Sequence, residues 1–478
     1  MESKGTASRK IALFLGGTIG VFVFVRFILG FNGLYGQDSH EYLYYARIIR
    51  AFFMGTPLEY DFFWPINYPL YGSVLSYISP SLSFALQLVS LGAHLGVALC
   101  LLKLFPVGKS ADTTKVYFVV FMYFMAPQAL LSGIQIMSDS LAACLVIWTF
   151  YFIKRLQAKV QLPLLIGLCF CASSAVVTRY PAAVILILPA LYAVYLLIKQ
   201  SKWKYILFGI LICGGILFPF WVMQGGESKD FLGHHLLTNW SVRHFFMRSF
   251  QNAEGIIHYS FPNILSLQSV YLHPRYLFLG AILLPFIRKQ DFQTPLIRLL
   301  IGSSLIYMVF LAGIPFQNPR FLLLIFPLIL VLLFPAFHRL LHGITQFTGQ
   351  LRIQPLIWIG IFIVQLSLSA YMFRGFYQLN QFEKKIATQL ESYPPNRLYT
   401  FYVDLALRSY ESPHDIVNLW YKRLQTPQAG ERVLFHPTQF TEQWQGSILM
   451  ENWDKLQQES HLVPIDTFDR GWILYEIQ

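Results

Sequence analysis

Residues 205–224 read YILFGILICGGILFPFWVMQ, a run that carries no charged side chain. A stretch of this length is what crossing the hydrocarbon core of a bilayer requires, roughly 20 residues at 1.5 Å rise. Similar runs recur along the chain, at about 11–29, 81–104, 116–135, 140–154, 162–178, 181–198, 276–288, 296–315, 321–341 and 355–374. Of 478 residues, 55% are hydrophobic and only 13% charged, with a mean hydropathy of +0.50. A soluble domain of this size cannot hide so much apolar surface. The sequence therefore predicts an all-α polytopic membrane protein with about eleven transmembrane helices. The first run follows Lys4, Arg9 and Lys10, lacks a small-residue cleavage site, and reads as a retained span, not a signal peptide.

Orientation follows from charge. The turns expected in the cytoplasm hold Lys103, Lys109 and Lys115, then Lys154, Arg155 and Lys159, then Lys199, Lys202 and Lys204, then Arg288, Lys289 and Arg298, and last Arg339 and Arg352. Few acids accompany them, so the basic side is the inner one. This places the N-terminus in the cytoplasm and two loops, at about 31–80 and 225–275, on the outer face. The tail 375–478 joins them there as a small α/β domain, separate from a transmembrane domain at 1–374. Arg397–Leu405, Arg432–His436 and Trp472–Ile477 read as strands and Asn452–Ser460 as a short amphipathic helix. The net charge of +12 belongs to the membrane part, since residues 375–478 hold 13 of the 24 acids but 9 of the 36 basic residues. That distribution argues for topology and against a nucleic-acid partner. The five cysteines lie in or beside apolar runs, and their absence from the tail leans toward a bacterial inner membrane.

Acids are scarce before residue 375, so those near the spans are candidates for chemistry. Asp38 and Glu41 stand in Gly36-Gln37-Asp38-Ser39-His40-Glu41-Tyr42-Leu43-Tyr44-Tyr45-Ala46, and Asp139 opens the fourth run. Glu59 and Asp61 read as solvated loop charges. Asp38 would equally serve as an N-cap, with Glu41 completing a capping arrangement. Trp64-Pro65-Ile66-Asn67-Tyr68-Pro69-Leu70 turns the chain back toward the second run. Two arginines close the set, in Thr178-Arg179-Tyr180-Pro181 and Asn318-Pro319-Arg320-Phe321-Leu322-Leu323.

In order, spacing and common side, these segments resemble the GT-C superfamily of polyprenyl-phosphate-sugar-dependent glycosyltransferases, similar to protein O-mannosyltransferases and bacterial aminoarabinose transferases. Arg26 at the end of the first run is a further match. The resemblance implies transfer of a sugar from a polyprenyl-phosphate donor to a hydroxyl on a protein, lipid or glycan at the outer face. One departure stands out: many relatives have adjacent Asp and Glu in the first loop, whereas Ser39 follows Asp38 and Glu41 lies a turn away. The chemistry needs a carboxylate to take the acceptor proton, the role of Asp38, with Asp139 and Glu41 as further catalytic candidates. It also needs cations for the departing phosphate: Arg179 and Arg320 first, Arg243 and Arg248 after them. Arginines at span ends also simply snorkel to the interface. His234, His235, His244, His258 and His273 would admit a divalent metal, but no HxxH or HExxH spacing supports one. A transporter or lipid flippase is the rival reading, and a non-catalytic scaffold a third. The transporter reading calls for ionisable groups deep within spans, whereas the acids cluster at one face.

Overall fold

The computed structural model describes residues 4–58, 62–105, 111–223, 235–252, 255–278, 280–348, 353–420, 424, 426–444 and 448–478. They cluster into two compact units. One comprises Met1–Gly33, Tyr45–Phe250 and His258–Phe373, and the other Leu34–Tyr44, Gln251–Ile257 and Arg374–Gln478. Glu59 and Asp61 lie outside the described residues.

The first unit is helical. Its opening elements include α1 (Lys4–Val23), α2 (Gly36–Phe53, whose first half falls in the second unit), α3 (Asn67–Leu75), α4 (Leu82–Leu104), α5 (Ala111–Val119), α6 (Pro127–Ile134), α7 (Asp139–Ala158), α8 (Leu162–Val176), α9 (Ala182–Lys199) and α10 (Lys204–Met223). Local chemistry explains where several begin. Ser81 accepts from Phe84 N–H to cap α4, and Thr294 accepts from Ile297 N–H to cap the Pro295–Gly313 helix. Prolines inside α9 and α10, Pro189 and Pro219, are tolerated in apolar helices whose neighbours re-satisfy freed backbone groups.

Among the described residues seven helices are long and apolar enough to cross a bilayer, or eight if the bent pair Thr114–Phe124 and Pro127–Ile134 is one span. That count replaces the expectation of about eleven regular helices. The pair bends by 71° where Pro127 cannot donate to the preceding turn. Two further runs are helical but shorter, Leu15–Ile28 and Leu162–Val176.

The run at 276–288 is not an α-helix. Its residues Gly280–Phe286 form a 3₁₀ helix that contains Pro285. Even so, it traverses the unit. At one end the Tyr276 hydroxyl donates to the Pro319 carbonyl at 2.7 Å, and its ring lies 5.0 Å from that of Phe326. At the other, Arg339 donates to the Phe286 carbonyl at 2.7 Å and pairs with Asp291. Phe326 and Arg339 both belong to the Phe326–Thr348 helix, and the interval between them rises about 20 Å. The segment thus runs parallel to that helix, from the level of Phe326 to that of Arg339.

The second unit holds a five-stranded mixed sheet, separate from the small hairpin β1 (Ser249–Asn252) and β2 (Gly255–His258). Its strands are β3 (Arg397–Thr400), β4 (Asp415–Asn418), β5 (Arg432–Phe435), β6 (Leu462–Phe468) and β7 (Trp472–Ile477), ordered β4-β3-β5-β7-β6. β3 pairs in parallel with β4 and β5, while β7 pairs antiparallel with β5 and β6. The expected strand 397–405 stops at Thr400, because Tyr402 takes a φ of 76° and a short helix Asp404–Ser409 follows. The expected helix near Asn452 spans Ile448–Glu459. Trp453 from that helix stacks on Phe435 of the central strand, ring centroids 3.7 Å apart. Phe382, Ile386 and Leu390, from the end of the Ile353–Leu390 helix, complete the core.

Candidate functional site

In the first unit, four separate motif segments converge. Gly33, at a φ of 86° and so close to Gln87 that a Cβ would come within 2.6 Å, offers its carbonyl to Ile136 N–H at 2.9 Å. This holds the chain just before Asp139, the first residue of α7 and only 2% exposed. The Asp139 carboxylate accepts from the guanidinium of Arg179, which sits in the turn between α8 and α9. Asn67 secures that turn. Its amide donates to Thr178 Oγ1 at 2.7 Å and to the Ser174 carbonyl at 3.1 Å, and its backbone N–H bonds Val177. The aromatic-proline turn at 64–70 is therefore the brace of the Arg179 turn.

The fourth segment is a 3₁₀ helix, Pro319–Leu324, capped by Asn318, whose Oδ1 accepts from Arg320 N–H at 3.0 Å. Phe321 lies beneath both arginines, 5.4 Å from the Arg179 guanidinium and 6.0 Å from that of Arg320. Arg320 also reaches the Met137 sulfur at 3.8 Å, two residues before Asp139. Tyr307 fixes the Phe321 carbonyl by a 3.1 Å hydrogen bond from its hydroxyl. The result is one buried carboxylate and two guanidiniums about a single aromatic ring. The two guanidiniums present planar donors of the kind suited to phosphate.

Arg243 and Arg248 stand apart, both exposed, in the second outer loop. The loop's described histidines are engaged singly. His244 bonds the Gly313 carbonyl at 2.7 Å, and His258 bonds Ser249 Oγ at 2.8 Å. His273 Nδ1 accepts from Arg275 N–H at 3.1 Å, and burial, with the Arg275 charge, lowers its pKa below the ordinary histidine value. His235 opens a four-residue helix, and His234 lies outside the described residues. Among the described residues no group of three or more His, Cys, Asp or Glu side chains is placed to hold a metal.

In the second unit, Asp38 and Glu41 lie half-buried on α2. The helix begins at Gly36, so Asp38 occupies its first turn instead of capping it. Ser39 ties off the start: its hydroxyl accepts from Tyr35 N–H at 2.6 Å and donates back to the Tyr35 carbonyl at 2.8 Å. Beside them, His40 Nε2 donates to Glu383 Oε2 at 3.1 Å, with both side chains almost wholly buried. Sequence reasoning did not single out this pair. The available signal was the helical spacing of Phe376, Asn380 and Glu383, which continues the last apolar run past Arg374.

The sequence matches no family model and no curated protein. The fold does have solved counterparts. The crystal structure of ArnT from Cupriavidus metallidurans in the apo state superposes with a TM-score of 0.56 at 13% identity, over 96% of this chain and 98% of that one. The same protein bound to undecaprenyl phosphate gives a TM-score of 0.59 at 13% identity, over 97% of each chain. The chain thus shares the ArnT fold over nearly its whole length.

Proposed function

We propose that this chain with the ArnT fold transfers a sugar from a polyprenyl-phosphate donor to an acceptor hydroxyl at the outer face of a membrane. The observation that carries the reading is the pairing of Asp139 with Arg179, beside Arg320 and over Phe321, in a fold whose solved counterpart binds undecaprenyl phosphate. A polyprenyl tail stays in lipid, each buried CH₂ contributing about 0.8 kcal/mol, so the sugar–phosphate bond must lie at the interface.

In this reaction the acceptor oxygen attacks the anomeric carbon, the carbon–oxygen bond to phosphate breaks, and the polyprenyl phosphate leaves with the electron pair. Asp38 takes the acceptor proton. Arg320 and Arg179 hold the phosphate as its charge develops, and Asp139 sets the orientation of Arg179. Glu41 assists on the acceptor side, and Arg243 and Arg248 contribute long-range attraction only. The N-terminus is cytoplasmic and the C-terminal unit extracytoplasmic. The basic turns between the apolar runs support that orientation.

The test is direct. Purified protein in lipid nanodiscs is given undecaprenyl-phosphate-linked sugars, and release of undecaprenyl phosphate is followed by mass spectrometry. Donor-dependent release with a glycosylated acceptor supports the reading. Counterflow of intact donor across vesicles without any release would make the protein a transporter instead.

A further inference from the structure

We infer that the end of the Ile353–Leu390 helix is a splint for the turn that carries Asp38, with Glu383 as a positioning residue acting through His40. The inference rests on the reading of Asp38 as the base. Phe376, Asn380 and Glu383 fall at i, i+4 and i+7, one face of that helix. Each meets the first loop. Phe376 packs edge-on against Tyr35 with ring centroids 4.1 Å apart. Asn380 Nδ2 donates to the Leu34 carbonyl at 2.9 Å. Glu383 receives His40 Nε2–H at 3.1 Å. These contacts bracket Asp38 on both sides along the chain, at residues 34 and 35 before it and at 40 after it.

A fourth contact comes from the turn that follows β3. Gln37 Nε2 donates to the Tyr402 carbonyl at 3.0 Å, and Tyr402 is held at a φ of 76°. Left-handed backbone at a bulky aromatic residue costs energy and persists only where the surroundings enforce it, so such outliers concentrate at functional sites. Here the strained peptide points its carbonyl at the residue next to Asp38.

Burial sharpens the case. Ser39 and His40 are 0% and 1% exposed, whereas Asp38 beside them keeps partial access. Two residues along a helix turn about 200°, so anchoring His40 on one side directs Asp38 to the other. The His40 ring also stands edge-on to Tyr410 at 5.8 Å, which walls off the far side of the pair. A buried imidazole and carboxylate that satisfy one another hold a single geometry, and removing one orphans the other. The grip therefore fixes the base through its neighbours in the chain.

The experiment compares Glu383→Ala, Glu383→Gln and Asn380→Leu in the full-length protein. Backbone amide exchange across residues 36–43 is measured beside turnover of an undecaprenyl-phosphate-linked sugar. Glu383→Ala should speed exchange at least about tenfold and lower kcat about 10–100-fold, as expected for a displaced catalytic group, while KM for the donor stays within about threefold. Glu383→Gln, which still accepts from His40, should restore both to within about threefold of the parent. Asn380→Leu should loosen the same amides to a smaller extent, and with Glu383→Gln it carries the test should Glu383→Ala fail to fold. Unchanged exchange across 36–43 in folded Glu383→Ala, or no rescue by Gln, overturns the inference. Should Asp38→Asn remain active while Glu383→Ala still frees these amides, the assignment of the base fails and the splint stands.

Discussion

Arg179 and Asp139 form a buried ion pair that joins the turn between α8 and α9 to the first residue of α7, with 13% and 3% of their side chains exposed. Removing one partner leaves the other charge in a poorly solvated place. Arg179→Gln and Asp139→Asn should each destabilise the protein by roughly 3–5 kcal/mol, and the double variant by clearly less than their sum. Thermal unfolding in nanodiscs checks this, and strictly additive losses would show that the two groups are not coupled.

Arg320 reaches the Met137 sulfur and lies over the Phe321 ring, at the start of the Pro319–Leu324 helix. If it holds the donor phosphate, Arg320→Ala should weaken donor binding about ten- to a hundredfold, the range for a charge-assisted hydrogen bond. Arg155→Ala, on the opposite end of α7, serves as the control. Arg243→Ala and Arg248→Ala, both at exposed positions, should cost less than Arg320→Ala. Undiminished affinity in Arg320→Ala would return that residue to simple snorkelling.

Asp38 lies in the first turn of α2, where Asn preserves size and much of the local hydrogen bonding. As the proposed base it cannot be replaced by an amide, so Asp38→Asn should lower turnover by at least ~10²-fold with donor binding retained. Glu41→Gln should be milder. Near-parental turnover in Asp38→Asn would refute the mechanism.

Sidedness can be read with reporters. Alkaline phosphatase fused after Gln478 should be active, and a fluorescent reporter that matures only in the cytoplasm should be dark there. The same fluorescent reporter inserted at 289–294 should shine, because Asp291 and Arg339 tie that turn to the far end of the Phe326–Thr348 helix. Burial alone would raise the Asp291 carboxyl, yet hydrogen bonds from Arg339 and the Arg288 backbone carry it below its ordinary value, so the tie persists at neutral pH. The reverse reporter pattern would invert the topology.

Asp404 opens the short helix after β3, and burial raises its pKa above the ordinary aspartate value despite help from Asn418 and Arg408. A carboxyl raised in this way binds its proton more tightly folded than unfolded. It therefore stabilises fully below the ordinary aspartate value of 3.8 and loses that contribution as pH rises through the folded value. Asp404→Asn should remove this component, so the stability of the C-terminal unit should gain most at neutral pH. Hydrogen exchange in β3 and β5, followed from about pH 4, near the ordinary carboxyl range, up to about pH 7, reads it out. An identical pH slope in parent and variant would exclude Asp404 as its source.

Membrane class, most helix positions and the candidate acids were legible because each depends on a local property. An apolar run either spans a bilayer or does not, wherever the rest of the chain goes. The Asp139 and Arg179 motifs were visible separately for the same reason, as charges at the ends of apolar runs. Their union was not legible. It depends on Asn67 bracing the Arg179 turn from over a hundred residues away. The irregular traverse at 276–288 was hidden as well, since hydropathy records how apolar a segment is but not whether its backbone is α-helical or 3₁₀.

What the sequence determined by itself, then, is a chain bound to lipid, its helices' approximate limits and a shortlist of charged residues, all consequences of transfer free energies summed over neighbours in the chain. Tertiary structure alone decided which of those charges meet. Asp139 finds Arg179 and not Arg320, His40 finds Glu383 across 343 residues, and the tail's strands align as β4-β3-β5-β7-β6 out of chain order. These choices follow from burial. A charged or polar group removed from water must be satisfied by a partner, and only the packed fold determines which partner is within reach.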